Sequence, residues 1–183
     1  LGEGSNILVI ETLDHARQRG AKVLAEIIGY GSSADAFRVT DQDPDGAGAA
    51  ASMRMAMDDA RLAPADIDYI SAHGTGTKQN DQVETLAVKS VFGDLAYKVP
   101  ISSVKSMLGH LIAAAGATEL ITCILAIRDQ VLPPTINLHH PDPDCDLDYV
   151  PNASRKAQVR TCMSNSFGFG GQNDTLIIVG QKG

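Results

Sequence analysis

The chain has 183 residues, 44% hydrophobic and 20% charged, with 22 acidic against 15 basic side chains and a formal net charge of −7. That length buries a substantial core, most simply as one domain over 1–183, and the acidic balance excludes the broad basic footprint of a nucleic-acid-binding surface. Three cysteines without Cys-x-x-Cys spacing (Cys123, Cys145 and Cys162) exclude a disulfide scaffold and a zinc site, and no apolar run reaches the roughly 20 residues of a membrane span.

The run Ile7-Leu8-Val9-Ile10 predicts a buried strand over 6–11. The chain opens on this strand at Leu1 rather than on a methionine, and no signal peptide is read, so it is expected to start inside a larger protein of a reducing, cytoplasm-like compartment. Thr12 caps a short helix through Arg19, stopped by Gly20. A strand follows over 23–30. Its Gly29-x-Gly31 is too weak a pattern for a dinucleotide site. The polar stretch 35–45 reads as a loop, and 47–62 as a helix with Met53, Ala56, Met57 and Ala60 at helical spacing, ended by Pro64. A strand over 67–71 leads into the loop of His73, and a helix over 81–92, stopped by Gly93, carries Val83, Leu86, Ala87 and Val91 on its apolar face. A short strand over 99–102 leads into the loop of His110. The stretch 111–129 is apolar on nearly all sides and predicts one long helix buried between layers. Pro133-Pro134 forces extension, and 158–164 and 175–179 read as closing strands. Strand–helix alternation followed by strands predicts an α/β fold, a layered mixed sheet covered by helices.

Two histidines in small-residue loops are the chemical signal: His73 within Ser71-Ala72-His73-Gly74-Thr75-Gly76-Thr77, and His110 within Lys105-Ser106-Met107-Leu108-Gly109-His110. Both loops follow strands, where ligands gather in α/β sheets. Glycines let backbone approach a ligand, and Thr75 and Thr77 add hydroxyls. His110, just before the long helix, is expected at a positive dipole end beside unsatisfied N–H groups, which favours a neutral ring and a nearby anion. Glu119 lies in that helix, where an ionised side chain needs a partner, and Lys105 is the expected one, as a site pair or as a purely structural one. A third loop, Asn165-Ser166-Phe167-Gly168-Phe169-Gly170-Gly171, reads as a hinged aromatic wall or as a turn with two core rings. His15, His139 and His140 read as surface residues, the three cysteines as non-catalytic, the acidic stretches as solvated surface, and Arg155, Lys156 and Arg160 as a small basic patch.

These motifs together, in this order and spacing, resemble the β-ketoacyl-acyl-carrier-protein synthases, nearest to the elongating synthase II type of fatty-acid synthesis, with polyketide ketosynthases sharing the motifs. The resemblance runs from Gly2-Glu3-Gly4 to the end. It implies a thiolase-like fold of two similar halves, of which this chain is the C-terminal one. The family's nucleophilic cysteine belongs to the other half and has no counterpart here. The implied chemistry is decarboxylative Claisen condensation of a malonyl-carrier-protein with an acyl thioester. The implied roles are donors to a developing oxyanion for His73 and His110, anchorage of the second histidine loop for Lys105 with Glu119, pantetheine contact for Thr75 and Thr77, and a gate at Phe169 flanked by Gly168, Gly170 and Gly171. No cofactor is implied, and no metal apart from a monovalent cation held in some members at Glu119, Ser164 and Asn165. Implied partners are acyl carrier protein with its pantetheine thioesters, the N-terminal half, and a second copy in a homodimer; neither nucleic acid nor membrane is expected. Ile112-Ala113 stands where threonine-glycine is more usual, and Gln172-Asn173-Asp174 where threonine-asparagine-glycine is, which leaves substrate preference open. A non-catalytic chain-length-factor-like subunit, and a small-molecule-binding α/β module with structural histidines, are the competing readings.

Overall fold

A computed structural model describes residues 1–181. Its helices are α1 (Leu13–Gln18), α2 (Ala47–Ala60), α3 (Lys78–Phe92), α4 (Lys105–Leu108) and α5 (Ala115–Asp129). Its strands are β1 (Ala25–Ala34), β2 (Tyr69–Ser71), β3 (Ile101–Ser102), β4 (Val131–Leu132), β5 (Arg155–Lys156), β6 (Thr161–Gly168) and β7 (Gln172–Gly180). Five strands form one mixed sheet in the order β1-β7-β6-β2-β3. β1, β7 and β6 pair antiparallel, whereas β6, β2 and β3 pair parallel. β4 and β5 form a separate small ribbon that hydropathy did not single out.

Period-2 alternation sorts the sheet's side chains into two cores. Ile70, Met163 and Ile177 face α2 and α3, where Met53, Ala56, Ala87, Val88 and Phe92 complete one cluster. Their strand neighbours Tyr69, Cys162 and Ile178 face the other way, onto Leu120, Cys123 and Ala126 of α5. The architecture is therefore helices, sheet, helix, the layered mixed sheet expected from the alternating pattern. Glycines set the first layer spacing. A Cβ on Gly29 would stand 2.2 Å from the Ala56 carbonyl oxygen, and one on Gly31 would stand 2.0 Å from that of Ser52. Gly29 and Gly31 serve the close approach of α2 to β1.

Three expectations change. Residues 6–11 form no strand: Ile7, Val9 and Ile10 are 92%, 83% and 71% exposed. An apolar run becomes a strand only beside another strand, and here Asn6 ties the segment instead to the start of α5, donating to the Ala114 carbonyl (3.2 Å) and to Thr118 Oγ1 (2.7 Å). The long helix over 111–129 begins at Ala115, after a 3-10 turn over Ile112–Ala114, and only one side of it is buried because one layer covers it. The stretch 165–171 is mostly not a loop: Asn165 to Gly168 finish β6, and only Phe169 to Gly171 make the turn into β7, with Gly170 and Gly171 at φ 86° and 76°. Two helix boundaries differ from the expected ones for local reasons. α3 starts three residues early because Thr77 caps it, and α2 ends at Arg61 in the left-handed region before Pro64 is reached.

Gly31→Ala forces a methyl group into the α2 backbone. We expect it to cost about 1–3 kcal/mol in urea unfolding, while Gly168→Ala, which meets nothing within 4 Å, stays within about 0.5 kcal/mol of the parent.

Candidate active site

Parallel pairing of β6, β2 and β3 brings the ends that matter to one edge of the sheet. β2 ends at Ser71 and delivers His73, β3 ends at Ser102 and delivers Lys105 and His110, and β6 ends at Gly168 beside Phe169. His73 and His110 meet there with ring centroids 5.5 Å apart and planes at 81°. Both line one pocket of about 790 Å³ together with Thr75, Thr77, Phe167 and Phe169. Phe167 is buried and tilts against His73 at 5.6 Å between centroids, whereas Phe169 stands 80% exposed at the rim.

Backbone donors fix the His73 loop. His73 N and Gly74 N donate to the two carboxylate oxygens of Glu84, at 3.0 and 2.9 Å. Ser103 Oγ donates to the Gly74 carbonyl at 2.6 Å, and a Cβ on Gly74 would come within 2.6 Å of that of Ser103, so the two loops pack without room for a side chain there. Thr77 caps α3 by accepting from Asn80 N (3.4 Å) and shares a hydrogen bond with Thr75 (2.9 Å). Its hydroxyl therefore has structural work as well as a face on the pocket.

Lys105 joins the pieces. Buried in α4, its ammonium donates to Glu119 and to the His73 carbonyl and lies 3.4 Å from His73 Nδ1. Lys105 and Glu119 form an ion pair with side chains 5% and 2% exposed. The anchor thus reaches the first histidine loop as well as α5, where sequence reasoning gave it the second loop. His110 does not sit on the N-terminus of α5; the 3-10 turn stands between. Ile112, in the left-handed region at φ 54°, turns its N–H back onto His110 Nδ1 at 3.0 Å. A β-branched residue rarely adopts that conformation, and here it places one donor on one ring nitrogen.

The electrostatics follow from burial. His73 is held down to about 3, first by burial and then by the charge of Lys105, so its ring is neutral. The same two causes lower His110. With Nδ1 accepting from Ile112, His110 carries its proton on Nε2, facing outward as a donor. Glu119 is pushed up to about 7 by burial, against the pull of Lys105. Glu84 is raised too, again by burial first, against the hydrogen bonds from Gly74, Asn165 and His73. Sequence reasoning missed Glu84. Its signal was present: it sits beside Val83 and three and four residues before Ala87 and Val88 on the buried face of α3, the same anomaly that drew attention to Glu119.

Other predicted residues fall as follows. Ser164 and Asn165 are buried on β6, with Asn165 donating to Glu84 (3.2 Å) and accepting from Thr175 (3.1 Å). Cys123 and Cys162 are fully buried and Cys145 lies outside the histidine pocket, while His15, His139 and His140 are exposed. Arg160 lies at the opposite end of β6 from the histidines, and Arg155 is paired with Asp148, so that patch is not part of the site. Among the described residues, no helix is long and apolar enough to cross a membrane.

Residues 24–139 match the family model for the beta-ketoacyl synthase, C-terminal domain. The chain is 52% identical over 178 residues to 3-oxoacyl-[acyl-carrier-protein] synthase 2 of Coxiella burnetii, covering 97% of this chain and 43% of that protein. It is 53% identical over 176 residues to nodulation protein E of Rhizobium meliloti, covering 96% and 43%. Among solved structures, the ishigamide ketosynthase/chain length factor superposes with a TM-score of 0.93 at 48% identity, covering 99% of this chain and 44% of that one. A type II PKS acyl-carrier protein in complex with its ketosynthase bound to the hexaketide gives 0.91 at 44% identity, covering 94% and 42%. The chain spans less than half the length of each of these relatives.

Two buried groups should oppose each other in the pH dependence of folding. Between pH 3 and 6.5 the unfolded state binds a proton that His73 refuses when folded, so its contribution to stability grows as pH rises. Between pH 4.5 and 7 folded Glu119 keeps a proton that the unfolded state gives up, so its contribution falls as pH rises. Glu119→Gln removes the falling limb. Denaturant unfolding from pH 4.5 to 6.5 is expected to show stability rising more steeply with pH in the variant than in the parent, by up to about 1.4 kcal/mol per pH unit.

Proposed function

The chain belongs to the β-ketoacyl synthase family, as its C-terminal domain, and we propose that it supplies the decarboxylating half of a 3-oxoacyl-[acyl-carrier-protein] synthase site for fatty-acid chain elongation. The observation that carries the reading is the histidine pair: two neutral rings on one pocket, each with Nδ1 occupied from inside the protein. Each ring then has only an Nε2–H to offer the pocket.

In this reading an acyl chain waits as a thioester on a cysteine outside this chain, since none of Cys123, Cys145 and Cys162 reaches the histidine pocket. A malonyl thioester enters with its carbonyl oxygen between His73 and His110. Loss of carbon dioxide drives negative charge onto that oxygen, and two preorganised N–H donors stabilise the charge as it forms. The carbanion attacks the acyl carbonyl and the cysteine sulfur leaves. Lys105 holds the His73 ring neutral and in the tautomer that donates outward. Thr75 and Thr77 line the path of the pantetheine arm, and Phe169 with Gly168, Gly170 and Gly171 forms the movable rim. Acyl carrier protein is the partner that presents both substrates, the remaining half of the enzyme covers the exposed apolar segment 7–10, and the complete enzyme works as a cytoplasmic homodimer.

The buried oxygens would suit a monovalent cation: with both carboxylates ionised, Glu84 and Glu119 would carry one negative charge more than Lys105 balances, and buried Ser164 lies on β6 beside Asn165. A cation there would supply the missing charge and keep Glu119 ionised. Asn165 would join only through its backbone, because its side chain is taken by Glu84 and Thr175. Polyketide chain extension uses the same steps and is the second reading, favoured by the structural likeness to the ketosynthases above. The presence of both histidines and Lys105 argues against a non-catalytic subunit.

In the protein completed with its N-terminal segment, His73→Ala and His110→Ala are each expected to slow malonyl decarboxylation by roughly 10²–10³-fold while leaving trapping of labelled acyl-enzyme near the parental rate. Decarboxylation at the parental rate in both variants would overturn the donor assignment.

A further inference from the structure

A second cavity, of about 440 Å³, lies behind the His73 loop. Lys78, Asn137 and His140 stand on its exposed rim, and Glu84 and Lys105 on its buried floor. Neither Glu84 nor Lys105 lines the pocket that holds the histidines; the two cavities share Thr75 alone. The loop of His73 is therefore a partition. The imidazoles are on one side, and Glu84 and Lys105, which hold the His73 loop, open onto solvent on the other. Hydroxyls and a carboxylate mark the way in: Thr85 Oγ1 bonds Tyr149 Oη and the Asp81 carbonyl, both at 2.6 Å, and the Asp81 carboxylate faces the same space.

We propose that this cavity is the water-filled route by which the buried Lys105–Glu119 pair exchanges protons with solvent, separate from the substrate pocket; its use in turnover rests on the condensation reading above. That reaction consumes a proton. The bond from the malonyl C2 to its carboxylate breaks to release carbon dioxide, its electron pair forms the new bond to the acyl carbonyl carbon, and the acyl carbon–sulfur bond breaks. The departing thiolate is left to be protonated: acyl thioester, malonyl thioester carboxylate and one proton give 3-oxoacyl thioester, carbon dioxide and thiol. A pocket filled by two thioesters has no water to spare for that proton. Lys105 touches both sides, with Nζ beside His73 Nδ1 and its side chain on the cavity floor. A proton moves from Lys105 to Nδ1 as Nε2–H is given to the thiolate, and water in the cavity restores Lys105. In the next acylation Nε2 takes the cysteine's proton while Nδ1 returns its own through Lys105 to the cavity water, which regenerates the outward N–H, and the departing carrier thiolate is protonated by bulk solvent.

Cys145 makes the idea testable on the chain itself, because it lines this cavity while Cys123 and Cys162 are fully buried. The protein is labelled with ¹⁵N-lysine, and solvent exchange of the Lys105 side-chain protons, assigned by their loss in Lys105→Met, is followed by NMR before and after Cys145 receives a benzyl methanethiosulfonate. Exchange is expected to slow at least tenfold on labelling and to be untouched in Cys145→Ser. The same label on Phe169→Cys in the Cys145→Ser background, at the rim of the histidine pocket, is expected to leave exchange within twofold. His140→Trp, a substitution on the exposed rim, serves as a second plug if the label disturbs the amide spectrum. Exchange unchanged by both plugs, or slowed equally by the label at position 169, overturns the proposal. No substrate is present, so this outcome is independent of the decarboxylation assay on which the condensation reading stands.

Discussion

One buried ammonium holds the histidine edge of this fold together. Lys105 hangs from a four-residue helix after β3, yet it bonds Glu119 in α5 and the carbonyl of His73 beyond β2. Three elements that come from separate parts of the sequence are thereby fastened at one nitrogen. Burial of such a pair is a poor source of net stability, because both charges leave water. Its consequence is geometric: with one partner removed, the other would be an uncompensated charge in the core, so arrangements of the loops that part them are strongly disfavoured.

The second carboxylate gives that arrangement its electrical character. Glu84 spends its oxygens on two consecutive backbone N–H groups, which locks the His73 loop as a hydrogen-bonded ring independent of Lys105. Burial is the first cause on both sides: it lifts Glu84 and Glu119 towards the protonated form and lowers both histidines, and the Lys105 charge opposes it at the carboxylates and adds to it at the rings. Under the proposed condensation reading neutral imidazoles are what the site would need, since a ring protonated in advance would attract the malonyl carboxylate and resist its loss. Both rings are lowered first by burial and then by the Lys105 charge, but their Nδ1 atoms are occupied differently: His73 by the Lys105 ammonium and half-buried His110 by the N–H of the strained Ile112.

Much of the fold was legible in the amino-acid order. Switches between period 2 and period 3.6 located α2, α3, β2, β6 and β7, because each buries one face and its spacing records which. Thr12 and Gly20 bracketed α1 through cap chemistry that is local. The site loops were legible for the same reason: glycine and small residues around His73 and His110 are required by backbone geometry within a few residues. The exposed strand-like segment 6–11 and the one-sided α5 were not legible, because burial depends on what lies opposite. Residues 7–10 have the hydropathy of a strand and lack a neighbour to pair with. The 3-10 turn before α5 hides in a helical composition because it hinges on one residue, Ile112, in a conformation its side chain disfavours.

By itself the sequence determined the layered α/β class, the two histidine loops, the need of Glu119 for a cationic partner and the family. Each rests on short-range spacing or on residue chemistry that no surrounding can alter. Only the tertiary structure decided that Glu84 belongs to the site, that Lys105 grips the first histidine loop, that the basic patch sits at the wrong end of the sheet, and that the His73 loop divides two cavities. Those facts are distances between residues far apart in the chain, set by parallel pairing of β6, β2 and β3, and no local pattern encodes them.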